Sequence, residues 1–297
     1  MKHEIRELQQ SMEQHGYIAG GEIATAVYLA QQMNKPLLVE GDAGVGKTEI
    51  AKVMATLWDT ELIRLQCYEG LDVNTALYEW DYQRQLLQLK IAEHDGTESS
   101  ELEELIFSRK YLLERPLLRA ITRTDAAPVL LVDEIDRADD GFEAFLLELL
   151  SDFQVTIPEI GTIEALHRPH VVLTSNRTRE IGDALRRRCL YLFVQHPDRD
   201  KEVRIIKSRV PDAGERLASD IAGFMNRLRE RRMVRVPGVA ESIDWASALV
   251  HLHSDHLDAA TVEQTLGCVV KDEHDARELD TDEIVALLAD DAKEASA

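Results

Sequence analysis

Gly41-Asp42-Ala43-Gly44-Val45-Gly46-Lys47-Thr48 is the stretch that decides the fold. It fits G-x-x-x-x-G-K-[ST] at every fixed position, and it lies between the apolar run Lys35-Pro36-Leu37-Leu38-Val39-Glu40 and the helix-forming run Glu49-Ile50-Ala51-Lys52-Val53-Met54-Ala55. A strand, a glycine loop and a helix, in that order, make a phosphate cradle. The glycines let backbone N–H groups turn inward as an anion nest, and the start of the helix adds the positive end of its dipole. Lys47 then reaches the β- and γ-phosphates and the Thr48 hydroxyl ligates Mg²⁺. The nucleotide-binding set read here is Gly41, Asp42, Ala43, Gly44, Val45, Gly46, Lys47, Thr48 and Glu49, with ATP and Mg²⁺ as the implied ligands.

Working outward, Glu22–Met33 carries apolar residues at helical spacing before the loop, and Glu61–Cys67 reads as a second strand after it. Further strands are expected at Pro128–Val132, His170–Thr174 and Leu190–Val194. Helices are expected at Glu101–Arg119 and Gly141–Asp152, with a mobile surface loop at His94–Ser100. Gln154–Glu164 reads as a hairpin turning near Ile160-Gly161. Alternating strands and helices imply an α/β fold with a parallel sheet. From His196-Pro197-Asp198 onward the pattern is helical: Asp200–Val210, Arg216–Arg231, Glu241–Leu252 and Thr261–Val270. The expected division is an α/β nucleotide-binding domain over residues 1–197 and a smaller all-helical lid over 198–297. The lid would end in a solvated acidic tail, with a docking peptide as the alternative, because Lys271–Ala297 holds ten acidic against three basic residues; within it Asp282–Leu288 reads as a short helix.

The composition narrows the function classes. With 297 residues, 44% of them hydrophobic, the chain can bury a sizeable core. Its 34 Lys and Arg against 55 Asp and Glu leave a formal charge of −21, a surface that repels phosphate backbones, so nucleic acid is disfavoured as a partner. No apolar run approaches the roughly 18–20 residues a bilayer span requires. Met1–Gln10 lacks the apolar core of an export signal, so a soluble cytoplasmic protein is expected. Cys67, Cys189 and Cys268 show neither metal-ligand spacing nor the even count of a disulfide framework, and read as reduced, buried structural thiols.

Three further stretches carry chemistry. Leu130-Leu131-Val132-Asp133-Glu134 is an apolar strand ending in two carboxylates; Asp133 would hold the metal and Glu134 would polarise an attacking water. Asn176, after Thr174-Ser175, ends another strand where a side-chain amide orients the γ-phosphate and the lytic water; a turn-capping role is the alternative. Arg186-Arg187-Arg188 is either a solvated cluster or the source of a guanidinium donated to a neighbour's γ-phosphate, which is worth roughly 10³–10⁵ in rate.

The order of glycine loop, Asp-Glu strand, hairpin (Phe153–Ala165), Asn176, arginine cluster and helical lid resembles the AAA+ ATPases, and in particular their MoxR family, over about residues 15–270. The stretches Arg64–Asp72, Ala76–Trp80 and Thr174–Glu180 resemble the branch that includes the accessory ATPase of carbon monoxide dehydrogenase maturation (CoxD-like). The resemblance implies that Gly41–Thr48 is the Walker A motif, Asp133 and Glu134 the Walker B pair, Asn176 sensor 1, and Arg187 the arginine finger, with Arg188 next in line. It also implies a ring homo-hexamer, a separate partner protein with a von Willebrand factor A domain, and a metalloenzyme client such as a molybdenum hydroxylase, on which the ATPase acts as a chaperone. Tyr17 and Ile18 stand where relatives hold the base.

One position departs from the pattern. Many relatives carry a sensor 2 arginine where this chain has Ser242, so either Arg235 substitutes or the nucleotide state is sensed without it. Tyr68, Leu71, Tyr78 and Trp80 fall in an element that lines the pore of ring motors, and read either as client-gripping residues or as packed core. The rival functions are a P-loop phosphotransferase acting on a small molecule, a DNA-acting AAA+ motor, and a nucleotide-gated binding module that hydrolyses too slowly to do work, against which the intact Glu134 speaks.

Overall fold

The computed structural model describes residues 2–95, 102 and 105–289. In chain order the elements are α1 (Lys2–Gln14), α2 (Gly21–Met33), β1 (Leu37–Gly41), α3 (Lys47–Leu57), β2 (Leu62–Gln66), α4 (Val73–Leu77), β3 (Tyr78–Trp80) and α5 (Tyr82–Asp95). There follow β4 (Leu112–Glu114), α6 (Pro116–Thr122), β5 (Val129–Asp133), α7 (Asp140–Asp152), β6 (Gln154–Ile157), β7 (Gly161–Glu164), β8 (His170–Ser175), α8 (Asp183–Arg188) and β9 (Leu190–Val194). The remainder is helical: α9 (Arg199–Arg209), α10 (Glu215–Glu230), α11 (Val239–His251), α12 (Ala259–Thr265), α13 (Glu273–Glu278) and α14 (Thr281–Ala289). The chain forms two compact units, one of Glu22–Glu40 and Ala51–Leu192, the other of Met1–Gly21, Gly41–Ile50 and Phe193–Ala297.

The first unit is built on a sheet of order β2-β5-β8-β1-β9. The pairs β2–β5, β5–β8 and β1–β8 are parallel. All five residues of β5 are buried, as befits a strand covered on both faces, and this explains the unbroken apolar run before Asp133. Leu38, Leu130, Val132 and Leu173 enter one core with Phe142, Leu146 and Leu149 of α7 and Leu117, Leu118 and Ile121 of α6. The hairpin forms as read, β6 pairing antiparallel with β7 in the register Val155↔Ile163.

Glu101–Arg119 does not form one helix. Residues 109–111 make a 3-10 turn, β4 pairs antiparallel with β3, and α6 begins afresh at Pro116. Proline cannot donate to the preceding turn and drives the residue before it into extended backbone, as Arg115 shows at φ −88° and ψ 171°. Of the expected loop at His94–Ser100, His94 and Asp95 end α5, and residues 96–100 lie outside the described residues. Leu71 and Trp80 are core residues, Trp80 meeting Phe107 edge-on at 5.4 Å, and Tyr78 packs against the same core. Tyr68 is exposed.

In the second unit, α10 and α11 supply the apolar centre through Leu217, Ile221, Phe224, Leu228, Trp245 and Leu249. The stretch from Lys271 is not the solvated tail expected of it, as far as residue 289. Leu279, Ile284 and Leu287 are buried in this core, Asp272 caps by accepting the His274 and Asp275 N–H groups, and the buried Asp275 accepts the Val234 and Arg235 N–H groups at 2.8 and 2.9 Å. Residues 290–297 lie outside the described residues.

Candidate active site

The glycine loop follows directly on β1. A Cβ at Gly41 would sit 2.2 Å from the Val194 carbonyl oxygen, so only glycine admits this approach of two backbones. Lys47 opens α3 and is 6% exposed. Its Nζ donates to the Gly41 and Asp42 carbonyls at 2.8 and 2.6 Å, which folds the lysine back along the loop it serves. Glu49 is paired with Arg209 of α9 at 2.7 Å. Tyr17 approaches Gly46, its ring carbon 4.0 Å from where a Cβ would stand, and its hydroxyl pKa is pushed up by burial and by the Glu49 carboxylate. Ile18 is buried. His196 stands 3.8 Å from Asp42; both of its ring nitrogens are buried without a hydrogen bond, and burial together with Arg229 lowers its pKa.

The ends of β5 and β8 carry the carboxylates and the amide. Register pairs Val132 with Leu173, which sets Asp133 beside Thr174. The Thr174 hydroxyl donates to Asp133 Oδ1 and accepts the Glu134 N–H at 2.9 Å, so one buried side chain fixes both acids. Glu134 leaves the strand in the left-handed conformation, φ 55° and ψ 51°. Strain of about 1–3 kcal/mol at such a residue persists only where its surroundings hold it. Its Oε1 accepts the Asn176 amide at 3.2 Å, and its Oε2 accepts Gln66 Nε2 at 3.1 Å and Arg137 Nη1 at 3.2 Å. Asp133 Oδ2 accepts the Arg64 guanidinium, Nε at 3.1 Å and Nη2 at 2.5 Å.

Two acids that sequence reasoning missed hold the segment after β8. Asp136, buried, accepts the Asn176 N–H at 3.2 Å, the Thr178 N–H at 2.9 Å and the Thr178 hydroxyl at 2.7 Å. Glu143, also buried, pairs with Arg179 and accepts the Gly182 N–H at 2.9 Å. Asp136 lies two residues beyond Glu134, and that spacing was the one available signal.

The three arginines fall on α8 and differ. Arg186 pairs with the buried Glu40 at 2.7 Å, and Tyr191 donates to the same Glu40 oxygen at 3.0 Å, so Arg186 is committed within the chain. Arg188 reaches the Leu147 carbonyl at 3.4 Å. Arg187 is exposed, and no hydrogen bond or ion pair joins it to another described residue.

Residues 36–189, just over half of the chain, match the AAA domain family, dynein-related subfamily. The chain belongs to this AAA family. Among curated relatives, an uncharacterised protein of Staphylococcus aureus (strain USA300) is 26% identical over 204 residues, 66% of this chain and 69% of the relative. A gas vesicle ATPase of Halobacterium salinarum is 22% identical over 213 residues, 69% of this chain and 59% of the relative. Among solved structures, the RuvB Holliday junction branch migration motor of Thermotoga maritima is 17% identical and aligns over 87% of this chain and 68% of its own, with a TM-score of 0.46.

As an AAA protein the chain is an ATP-hydrolysing enzyme. Thr48 offers a hydroxyl and Asp133 a buried carboxylate, each by itself a hard oxygen donor of the kind Mg²⁺ takes, and the metal ordinarily keeps waters and substrate phosphates among its ligands. Among the described residues no cluster of three His, Cys, Asp or Glu side chains could hold a metal by itself. No helix among them is long and apolar enough to cross a membrane.

Proposed function

We propose that this AAA protein is a MoxR-type ATPase, CoxD-like, that spends Mg²⁺-ATP on remodelling a metalloenzyme. The observation that carries the ATPase mechanism is the Glu134 carboxylate, held in a strained turn with the Asn176 amide at 3.2 Å on one oxygen. A general base acts on a water within hydrogen-bond reach, and an amide beside it can orient that water toward the γ-phosphate. Residues Gly41–Thr48 cradle the phosphates, Lys47 neutralises them, and Thr48 and Asp133 hold the metal, which when bound offsets charge developing on the transferred phosphoryl group. Residues 1–197 serve as the nucleotide-binding domain and 198–297 as the lid.

Arg187 is the finger under this reading. Arg186 is occupied by Glu40, and Arg187 is exposed with no partner among the described residues, as a side chain destined for a neighbouring protomer would be. The homo-hexamer and the separate von Willebrand factor A domain partner rest on the resemblance to the MoxR family. The client assignment rests on Arg64–Asp72, Ala76–Trp80 and Thr174–Glu180 alone.

Mixing tests the arrangement. Arg187→Ala and Lys47→Ala should each be inactive alone, and mixed rings should regain activity because some interfaces pair an intact loop with an intact finger. Additive, unrescued activities in a light-scattering-verified oligomer refute the trans finger. For the client, deletion of the gene must lower the metal content of a molybdenum hydroxylase in the same cell; unchanged metal loading refutes it.

A further inference from the structure

Position 242 holds a serine where the resemblance implies a nucleotide-sensing arginine; the Arg235 side chain nearby is exposed, and its N–H donates to Asp275 at 2.9 Å. A different contact joins the helical region to the phosphate loop. The Val239 N–H donates to the Gly44 carbonyl at 2.9 Å. Val239 is the first residue of α11, so this N–H is one of the donors that a helix cannot satisfy internally. The two backbones touch: a Cβ on Gly238 would lie 2.6 Å from Gly44 Cα, and one on Gly44 would lie 2.8 Å from Gly238 Cα.

The Gly238 side of this contact is rigidly built. Glu241 accepts the Gly238 N–H at 2.9 Å. Arg229 donates to the Pro237 carbonyl at 2.8 Å and to the Gly238 carbonyl at 3.2 Å, while its fork grips both oxygens of Glu202 at 2.6 and 2.7 Å. Glu202 is wholly buried and also accepts Ser242 Oγ at 2.5 Å and Asn226 Nδ2 at 2.9 Å. A buried ion pair is a poor device for stability but a good one for fixing geometry, provided its polar atoms are satisfied. What this one fixes is the Pro237–Val239 backbone against Gly44.

We propose that Pro237–Val239 is a latch through which the helical region reads occupancy of the phosphate loop, with Arg229 as the positioning residue that replaces a sensor arginine by acting through backbone. The inference rests on nucleotide binding at Gly41–Thr48. Phosphate draws the loop N–H groups inward and fixes the Gly44 peptide, and with it the acceptor that Val239 uses. Coupling of this kind is reciprocal, so a latch tightened by nucleotide must in turn slow nucleotide release.

Amide hydrogen exchange on the wild-type chain, with and without saturating Mg²⁺-ADP, tests it first. Nucleotide should slow exchange at Val239 by about tenfold, a usual size for coupling between sites, together with the loop amides of residues 44–48. Slowed loop amides with an unchanged Val239 overturn the latch and leave the nucleotide reading standing; no slowing at either place overturns both. Gly238→Ala then wedges the contact open. It should speed release of a fluorescent mant-ADP by about tenfold and raise KM for ATP more than it lowers kcat. Gly214→Ala, which meets open space, should change neither. Arg229→Lys keeps a charge opposite Glu202 but cannot make the fork and both carbonyl bonds, and should shift release in the same direction by less. A folded Gly238→Ala chain that releases mant-ADP at the wild-type rate overturns the proposal.

Discussion

Thr174→Val is the sharpest probe of how the carboxylates are held. The side chain is 1% exposed, and the change preserves its shape while deleting one hydroxyl. Two bonds go with it: the one donated to the ionised Asp133 and the one accepted from the Glu134 N–H. Losing a bond to a charged group costs about 1.5–3 kcal/mol, and stranding a buried N–H costs about 1–3 kcal/mol more. The expected loss of stability is therefore about 3–5 kcal/mol, a large share of the 5–15 kcal/mol typical of a domain. The catalytic effect follows from position, since Glu134 sits in a left-handed turn that nothing in its own backbone favours. A base displaced by about 1 Å can cost on the order of 10²-fold in kcat. Thr174→Ser keeps both bonds and should lose only the burial of a methyl, about 1 kcal/mol. Urea unfolding followed by circular dichroism, with steady-state ATPase rates on the same preparations, separates the two variants. A valine variant within about 0.5 kcal/mol of wild type, or one matching the serine variant in kcat, refutes the reasoning.

Glu134→Gln removes the carboxylate proposed as the base while keeping the Asn176 contact, and should lower kcat by about 10²–10⁴-fold with ATP still bound, as read by filter retention of labelled nucleotide. Burial, with Asp133, Asp136 and Glu134 nearby, pushes the Cys67 thiol up to about 12. At pH 8 iodoacetamide should therefore label Cys67 about a thousandfold more slowly in the native chain than in urea, where an ordinary thiol pKa near 8.5 returns; mass spectrometry of the labelled peptides checks it. Burial holds the His170 pKa below its usual 6.5, so the folded chain keeps this ring neutral where the unfolded chain protonates it. Its contribution to stability is complete above pH 6.5 and is lost as pH falls from there toward the depressed folded value. His170→Phe, which preserves the ring against Trp58, should flatten that part of the pH–stability curve; an unchanged slope contradicts the assignment.

Local chemistry made much of this protein legible in its sequence. The glycine loop shows because a phosphate cradle needs backbone that only closely spaced glycines provide, with a lysine at one fixed offset. The run before Asp133 shows because a strand covered on both faces must be apolar throughout, and the Phe153–Ala165 hairpin shows because its alternation is short-range. What could not be read are partnerships between residues far apart in the chain. Thr174 meets Asp133 across 41 positions, Asp136 meets Thr178 across 42, and Arg186 meets Glu40 across 146. The Glu101–Arg119 error has the same origin: helical propensity is local, whereas β4 exists because it pairs with β3. Ser242 is the clearest case. Its place in the sequence gives no hint of its bond to Glu202, and the buried Arg229–Glu202 pair beside it arises from helix packing, which brings together residues whose separation in sequence carries no periodic signal.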